Sequence, residues 1–346
     1  MNQASANSGT VLRRQQQRQQ AQQQQLVKHP DVLQPQARSG AEVRLPERES
    51  PCFTIHRVRL IGDKAFPWLY GSLAGRDHDD SPIGKCLGVN GIKLLEKRAQ
   101  NALIGAGYIT SRVMIGPQNL SKGILRLTVI PGRIWRVEMH SRHGRGHWST
   151  TLPSRSGDLL NVHDLDQALE NFRRSPTSTA DIKIAPAPRG SPPGYSNVVI
   201  DYAQSFPFRL TLTADGAETG RYQGGITLSY DNPLTLNDLF YVSYNQNVSF
   251  LDPGDHGNKG DTVYYSVPFG YWALTMDYSH YSYHQSVAGY TQNYIYSGTS
   301  HTYNVKLTRV VYRNAGSKYT VGIKAFARGS RNYIDHTKIA VQRRNA

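Results

Sequence analysis

Residues 208–248, FRLTLTADGAETGRYQGGITLSYDNPLTLNDLFYVSYNQNV, alternate apolar and polar side chains in three successive runs. In the first run, Phe208, Leu210 and Leu212 are separated by polar residues. A period of two places neighbouring side chains on opposite faces of a strand. The turn-forming residues 231–233, Asp-Asn-Pro, divide the second run from the third. The stretch therefore predicts antiparallel strands, each with one apolar and one polar face.

The same alternation continues through 206–346 and predicts about seven or eight strands there. It recurs at Val263/Tyr265/Val267, Trp272/Leu274/Met276/Tyr278, Tyr303/Val305/Leu307 and Tyr319/Val321/Ile323. Of the 21 tyrosines, only Tyr70, Tyr108 and Tyr195 precede position 200, so the residue type that favours membrane interfaces concentrates in this half. Runs of about 9–11 residues match a tilted bilayer crossing, although a soluble β-sandwich also alternates.

Four cationic residues, Arg209, Lys306, Lys324 and Arg328, fall on the polar side of these predicted strands. A water-filled lumen accepts charged side chains, whereas the hydrocarbon of a bilayer does not. We therefore expect these four side chains to face the lumen of a barrel.

Two α/β units precede the strands, at 52–132 and 133–205, and each is expected to have the order strand, helices, strand, strand (β-α-α-β-β). In the first unit, apolar residues recur at helical spacing until Gly107, which stands where a C-terminal cap is expected. In the second, Asn161 is the predicted N-cap of an amphipathic helix. The sequence thus predicts two small α+β domains with the same element order.

The N-terminal residues have no apolar pattern of their own. Residues 1–30 are rich in glutamine and predict a solvated helix or a disordered tail, without the apolar segment of a secretory signal. Residues 31–51 contain Pro35, Pro46 and Pro51, which predict an extended linker.

The two cysteines, Cys52 and Cys86, flank one compact stretch of the first α/β unit. A disulfide is expected if the compartment is oxidising, and the alternative is a pair of unrelated buried thiols.

No catalytic or cofactor-binding motif occurs, so we expect neither an enzyme nor a cofactor or small-molecule substrate. The stretch 77–80, Asp-His-Asp-Asp, is interpreted as a solvated loop, with a metal site as the weaker alternative. The net charge of +15 is scattered, and no motif supports nucleic-acid binding.

Several motifs together resemble the two-partner secretion transporters, the family that exports haemolysins, filamentous haemagglutinins and contact-dependent inhibition toxins. They are CFTIHRVRLIGD at 52–63, DLDQALENFRRSP at 164–176, YQGG, SYDNPL and NDLF within 222–240, NVKLTRVVYRN at 304–314 and KAFARGSRNYID at 324–335. The resemblance covers about residues 52–346.

The resemblance implies two periplasmic POTRA (polypeptide-transport-associated) domains followed by a 16-stranded outer-membrane β-barrel, with residues 1–30 as a pore plug. The expected partners are a secreted protein of the haemolysin, adhesin or contact-dependent toxin type and outer-membrane lipid. Residues 206–346 supply about half of such a barrel, so we expect the sequence to be a fragment that forms no working pore alone.

The exported protein is expected to add a strand to an exposed sheet edge of a POTRA domain, where backbone hydrogen bonds require little sequence specificity. The candidate edge residues are Ile182, Val198, Val199 and Ile200. The alternative function is a soluble β-rich adhesin or binding module with two small α/β domains, which recovery from the soluble rather than the membrane fraction would indicate.

Overall fold

The computed structural model describes residues 43–62, 65–75, 78–144, 146–216, 222–248, 256–288, 290, 292–335, 337–339 and 344–345, with isolated positions at 17, 21 and 24. The predicted plug over residues 1–30 and most of the predicted linker therefore lie outside the described residues. Among the described residues, no helix is both long enough and apolar enough to cross a bilayer.

The first domain is a three-stranded sheet covered by one long helix. Its elements are β1 Phe53–Thr54, β2 Arg57–Gly62, α1 Leu69–Leu73, β3 Cys86–Leu87, α2 Val89–Gly105, β4 Arg112–Met114 and β5 Ile124–Ile130. The sheet has the order β2-β5-β4, in which β5 runs parallel to β2 and antiparallel to β4. The break in phase after Ile55 divides the first apolar run into β1 and β2, and β1 pairs with β3 instead.

Helix α2 packs Leu95, Ala99 and Leu103 into the core of this domain, where all three are fully buried. The helix ends just before Gly107, whose φ of 91° is unfavourable for residues with a Cβ. The Gly107 N–H donates to the Ile104 carbonyl and the Tyr108 N–H to the Leu103 carbonyl, which satisfies the last turn.

Part of the predicted linker instead packs against the first domain. Leu45 is buried in the core, and the Glu49 carboxylate accepts hydrogen bonds from the backbone N–H groups of Gly88, Asn90 and Gly91 at the start of α2. Desolvation raises the pKa of Glu49, but the three N–H donors lower it by more than desolvation raises it, so the pKa lies below its ordinary value. Leu45 and Val43 are the only large apolar residues between Pro35 and Pro46, too few to show a period, which is why the pattern predicted only a linker.

Cys52 and Cys86 are joined by a disulfide, with 5.3 Å between their Cα atoms. The bridge connects the residue before β1 to β3, the strand that pairs with β1. It therefore reinforces a two-stranded ribbon whose two strands have only two residues each.

The second domain repeats the arrangement. Its elements are β6 Arg133–Ser141, α3 Trp148–Thr151, α4 Val162–Arg173, β7 Ser178–Pro186 and β8 Tyr195–Gln204, and the sheet order is β6-β8-β7. Asn161 caps α4 by accepting from the His163 N–H, as expected, and its Nδ2 also donates to the Ala106 carbonyl of the first domain. One side chain therefore stabilises a helix end in each domain.

The prediction that Val198, Val199 and Ile200 form an exposed edge is wrong. They belong to β8, which is the central strand because β6 pairs with it in parallel and β7 in antiparallel fashion. Val198 and Ile200 are fully buried. Ile182 does lie on an edge strand, β7, whose second side is unpaired among the described residues.

Beyond the second domain lies one antiparallel sheet in which each strand pairs with the next along the chain, except that the last short strand pairs with the strand two before it. Its strands are β9 Phe208–Gly216, β10 Tyr222–Asp231, β11 Leu239–Val248, β12 His256–Phe269, β13 Trp272–Ala288, β14 Asn293–Arg313, β15 Lys318–Ile334, β16 Thr337–Lys338 and β17 Arg344–Asn345. The predicted run length of about 9–11 residues is too short for β14, which has 21 residues. Residues 297–302 of β14, Ser-Gly-Thr-Ser-His-Thr, have no large apolar side chain, so the alternation that predicts a strand stops before the strand does.

Candidate functional site

The polar side of the large sheet brings the four predicted cations onto one face. Directly paired residues in antiparallel strands project to the same side. The register Arg209↔Ser229↔Tyr241↔Tyr264↔Asp277↔Asn304↔Phe326 therefore follows one face across seven strands. Lys324 and Arg328 lie two residues to either side of Phe326, and Lys306 pairs directly with Lys324. All four cations thus share this face, which we call the polar face.

The opposite side, the apolar face, exposes large hydrophobic side chains on every long strand. Examples are Leu212 at 72% exposure, Leu228 at 52% and Ile323 at 78%. Covering such a continuous area with hydrocarbon is strongly favourable, at about 25 cal/mol per Å². The expected polar and apolar faces are present on the alternating stretch of each strand from β9 to β15, which is the arrangement of a membrane barrel wall.

The second domain is attached to one end of this sheet through a buried ion pair. Glu170 of α4 accepts from Arg313, at 2.7 Å, and from Lys318, at 3.1 Å, and these cations flank the β14–β15 turn. The side chains of Glu170 and Arg313 are 8% and 1% exposed. Gln167, one turn earlier, also accepts from Arg313. Breaking a buried pair of this kind is costly because the remaining charge loses its partner.

A second group of contacts surrounds Asp231, the last residue of β10. Its carboxylate accepts from both Nε and Nη2 of Arg209, and from the backbone and hydroxyl of Thr177 in the second domain. Gln204, which ends β8, donates to the Asp231 carbonyl. Asp231 was predicted only as a turn residue, and Arg209, although on the polar face, is held in this ion pair at the domain end of the sheet.

The turn between β12 and β13 provides a third contact. The Gly270 N–H donates to the Thr150 carbonyl, and Asn171 of α4 donates to the Gly270 carbonyl. The Tyr271 hydroxyl donates to Asp164, and burial together with that carboxylate raises the pKa of Tyr271. The second domain therefore contacts the three turns at one end of the sheet, β10–β11, β12–β13 and β14–β15. The opposite ends of these strands point away from it.

Sequence reasoning missed this junction, because its members are far apart in the chain. A signal was present in α4, where Gln167, Glu170 and Asn171 recur at spacings of three and four on one helix face. All three are buried, so α4 has a polar stripe that contacts the sheet as well as an apolar stripe that faces its own domain.

The edge strand β7 is regular and accessible. It pairs with β8 without interruption over its nine residues, whereas the other edge strand, β6, has a register shift between Ile134 and Val137. Ile182 and Ile184 are half-buried on it, and an open cavity of about 510 Å³ extends from Ile184 to Tyr195 at the hairpin end. The edge thus combines free backbone groups with room for a bulky side chain.

The first domain contains a buried carboxylate, Asp80, that holds the segment before β1. Asp80 accepts from the Leu45 N–H, from Arg98 at 2.6 Å and from Lys85. Desolvation raises the pKa of Asp80, but these donors lower it by more than desolvation raises it, and the resulting pKa is about 2. The neighbouring Asp79 pairs with Arg44 at the surface. Among the described residues, no group of acids, histidines and cysteines is arranged to hold a metal ion.

This geometry predicts that acid weakens the first domain. The folded pKa of Asp80 lies below its ordinary value of 3.8, so its contribution is complete above pH 4 and is lost as the pH falls towards 2. The loss is about 2 kcal/mol. Amide hydrogen exchange of α2 in the full chain, measured between pH 5 and pH 2, should show this decline in the wild type and a flatter profile in Asp80→Asn. The exposed control Asp79→Asn should behave as the wild type, and a flat wild-type profile would contradict the prediction.

Three family profiles match the chain in succession. The POTRA domain of ShlB type matches 53–132, a POTRA domain matches 133–186, and the haemolysin secretion/activation protein ShlB/FhaC/HecB matches 194–346. The matches follow the first domain, the second domain and the large sheet in order.

Curated relatives match over most of this chain. The outer membrane transporter CdiB-2 of Burkholderia pseudomallei strain 1026b is 34% identical over 335 residues, which cover 92% of this chain and 56% of the relative. The haemolysin transporter protein ShlB of Serratia marcescens is 27% identical over 266 residues, covering 74% of this chain and 45% of the relative. The chain spans about half the length of the curated relatives that it matches.

Solved structures agree on the fold. CdiB from Acinetobacter baumannii superposes with a TM-score of 0.83 at 28% identity, over 97% of this chain and 65% of that one. CdiB from Escherichia coli gives a TM-score of 0.77 at 24% identity, over 98% of this chain and 62% of that one, which supports the fold alone.

Proposed function

The chain belongs to the ShlB/FhaC/HecB family of haemolysin secretion/activation proteins, and from this premise we propose that it acts in passing an exported partner protein across the bacterial outer membrane. Residues 206–346 would contribute strands to the wall of the barrel. Residues 52–132 and 133–205 would be the two periplasmic POTRA domains. The partner would be a secreted protein of the haemolysin, adhesin or contact-dependent toxin type.

The observation that carries this proposal is the separation of the two faces of the sheet. Large apolar side chains such as Leu212 and Ile323 lie on one face, and Lys306, Lys324 and Arg328 lie on the other. Hydrocarbon would cover the first face and water would fill the space next to the second. A soluble β-rich binding module would have to bury the apolar face against further protein, and no described residue covers it.

The polar face would then line the conduit. Conduction of an extended polypeptide needs polar, hydrated walls and no active site, so we propose that the protein works without catalysis, cofactor or small-molecule substrate. The cations on this face would interact with backbone carbonyls and acidic side chains in transit.

The second domain would hold the exported chain next to the conduit. Its edge strand β7 presents free backbone groups, and β-strand addition needs only such an edge and a side-chain pocket. Lys183 lies at the centre of β7 and pairs with Asp201 and Asp181, which keeps the edge soluble without blocking its backbone.

The edge can be tested with proline. Adjacent strand residues direct their N–H groups to opposite sides of the strand. Of the two single variants Ile182→Pro and Lys183→Pro, one therefore removes an N–H that faces β8 and the other removes an N–H that faces outward. The variant that keeps the melting temperature of the wild type should weaken capture of the partner's N-terminal segment about tenfold, because an added strand loses a hydrogen bond and meets a proline ring.

The control for this experiment is Val199→Pro in the central strand β8, where both sides are paired. That change should unfold the second domain outright. If the stable proline variant on β7 captures the partner as well as the wild type does, the binding surface lies elsewhere.

A further inference from the structure

The apolar face ends abruptly on the side away from the second domain. On β13 the outward residues run Trp272, Leu274, Met276 and Tyr278, and the next outward position is His280. The same change occurs on β14, where the apolar face carries Tyr303 and, one position farther from the second domain, His301. We call the group formed by Lys259, Asp261, His280, His284, His301 and Arg331 the outer polar belt.

Strand register places these residues in rows across the sheet. Asp261 pairs with His280 and His280 with His301, so the three side chains form one row next to the last tyrosines of the apolar face. One step farther out, about 7 Å along the strands, Lys259 and Arg331 stand in a second row, linked through Ser282 and Thr299.

The inner row is ordered by contacts among its own members. The rings of His280 and His301 stack with 4.7 Å between centroids, and Tyr278 hydrogen-bonds His301 at 3.2 Å. His280 lies 3.1 Å from Asp261, so the single acid of the belt already has a partner. The belt therefore presents fixed rings at the edge of the apolar face and carries a positive charge beyond them.

The outer row supplies that charge. Lys259 and Arg331 are exposed, and neither has an acidic partner within salt-bridge distance among the residues that the structure describes. His284, also exposed, lies on the same face in the next row. Cations at the boundary between apolar and polar surface are the arrangement that attracts anionic headgroups, because the acyl chains and the charged group then meet their matching surfaces together.

The position of the belt determines the leaflet. The second domain contacts the β10–β11, β12–β13 and β14–β15 turns, at the opposite ends of the same strands. If that domain is periplasmic, as the proposed function requires, the belt lies at the external surface of the outer membrane. We propose that the outer polar belt binds the phosphate groups of phosphorylated lipids in the external leaflet, with Lys259 and Arg331 as the principal ligands.

The test uses the full chain in phosphatidylcholine vesicles with and without diphosphoryl lipid A, and measures bound lipid A by native mass spectrometry after extraction. The wild type should retain lipid A, and Lys259→Gln and Arg331→Gln should each lower retention about fivefold. The control Arg309→Gln removes a cation from the same face at the domain end, where Arg309 lies over Trp272, and should retain lipid A as the wild type does.

Two further comparisons distinguish lipid phosphate from free phosphate, and loss of lipid binding from loss of membrane insertion. Inorganic phosphate at 50-fold excess should not displace the lipid, since it lacks acyl chains. The double variant Lys259→Gln/Arg331→Gln should bind lipid A as weakly as the wild type binds lipid A without its phosphates. Equal retention by the double variant and the wild type, with both inserted in vesicles, would overturn the belt alone. Failure of the wild type to insert in any vesicle would overturn both the belt and the proposed membrane location.

Discussion

Glu170→Gln should detach the second domain from the large sheet. The substitution keeps the size of the side chain but leaves Arg313, whose side chain is 1% exposed, without the carboxylate that neutralises it. Removing one member of a buried pair costs about 3–5 kcal/mol, since the remaining charge stays desolvated. A loss of about 3 kcal/mol corresponds to a factor of about one hundred or more in an equilibrium constant. We therefore expect amide protection in α4 and in the β14–β15 turn to fall by about two orders of magnitude or more.

The matched double variant separates the charge effect from simple loss of packing. Glu170→Gln combined with Arg313→Met removes both members of the buried pair and leaves only the partly exposed Lys318 at this position, so much of the protection should return. The control Lys183→Gln breaks an exposed ion pair with Asp201 in the same domain and should leave amide protection in α4 close to that of the wild type, because solvent screens this pair. If Glu170→Gln and Lys183→Gln behave alike in hydrogen exchange, the junction is not held by this pair.

Ile323→Arg should strongly oppose membrane insertion. Ile323 is 78% exposed at the centre of the apolar part of β15, and an arginine at the middle of the bilayer costs about 2–4 kcal/mol. The inserted fraction in phosphatidylcholine vesicles, measured by flotation, should fall accordingly, by a factor of about thirty or more.

Phe326→Arg is the matched control for this substitution. It lies on the same strand and replaces another exposed hydrophobic side chain, of 60% exposure, but it belongs to the polar face. A cation there would be hydrated by the lumen, so insertion should remain near that of the wild type. Equal losses in the two variants would mean that both faces of β15 meet the same environment.

The features that depend on neighbouring residues could be predicted from the sequence. The two-residue period identified the strands of the large sheet and their polar face, and Asn161 and Gly107 marked helix ends because capping depends on adjacent residues. It failed for the outer parts of β14 and β13, where polar residues continue the strand without alternation. There the hydrogen bonds of the ladder, rather than the side chains, extend the strand.

Strand order and the domain junction could not be predicted from local sequence. The apolar runs around Ile182 and Val199 look alike, and only the parallel pairing of β6 with β8 makes one an edge and the other a centre. The contacts of Glu170 with Arg313 and Lys318 join residues that are more than 140 positions apart. Such contacts follow from how the domains pack, and a single sequence has no short-range signal for them.

We propose that the large sheet is a membrane wall with the apolar face towards lipid and the polar face towards water. The most direct measurement attaches a bimane label to single cysteines introduced in turn at Val321, Gly322, Ile323 and Lys324, with the full chain in vesicles and the native disulfide intact. Brominated lipid should quench the labels at 321 and 323, and aqueous iodide those at 322 and 324, because these positions alternate between the faces of β15. Iodide quenching of equal strength at all four positions would mean that both faces of β15 are in water and that the sheet is not a membrane wall.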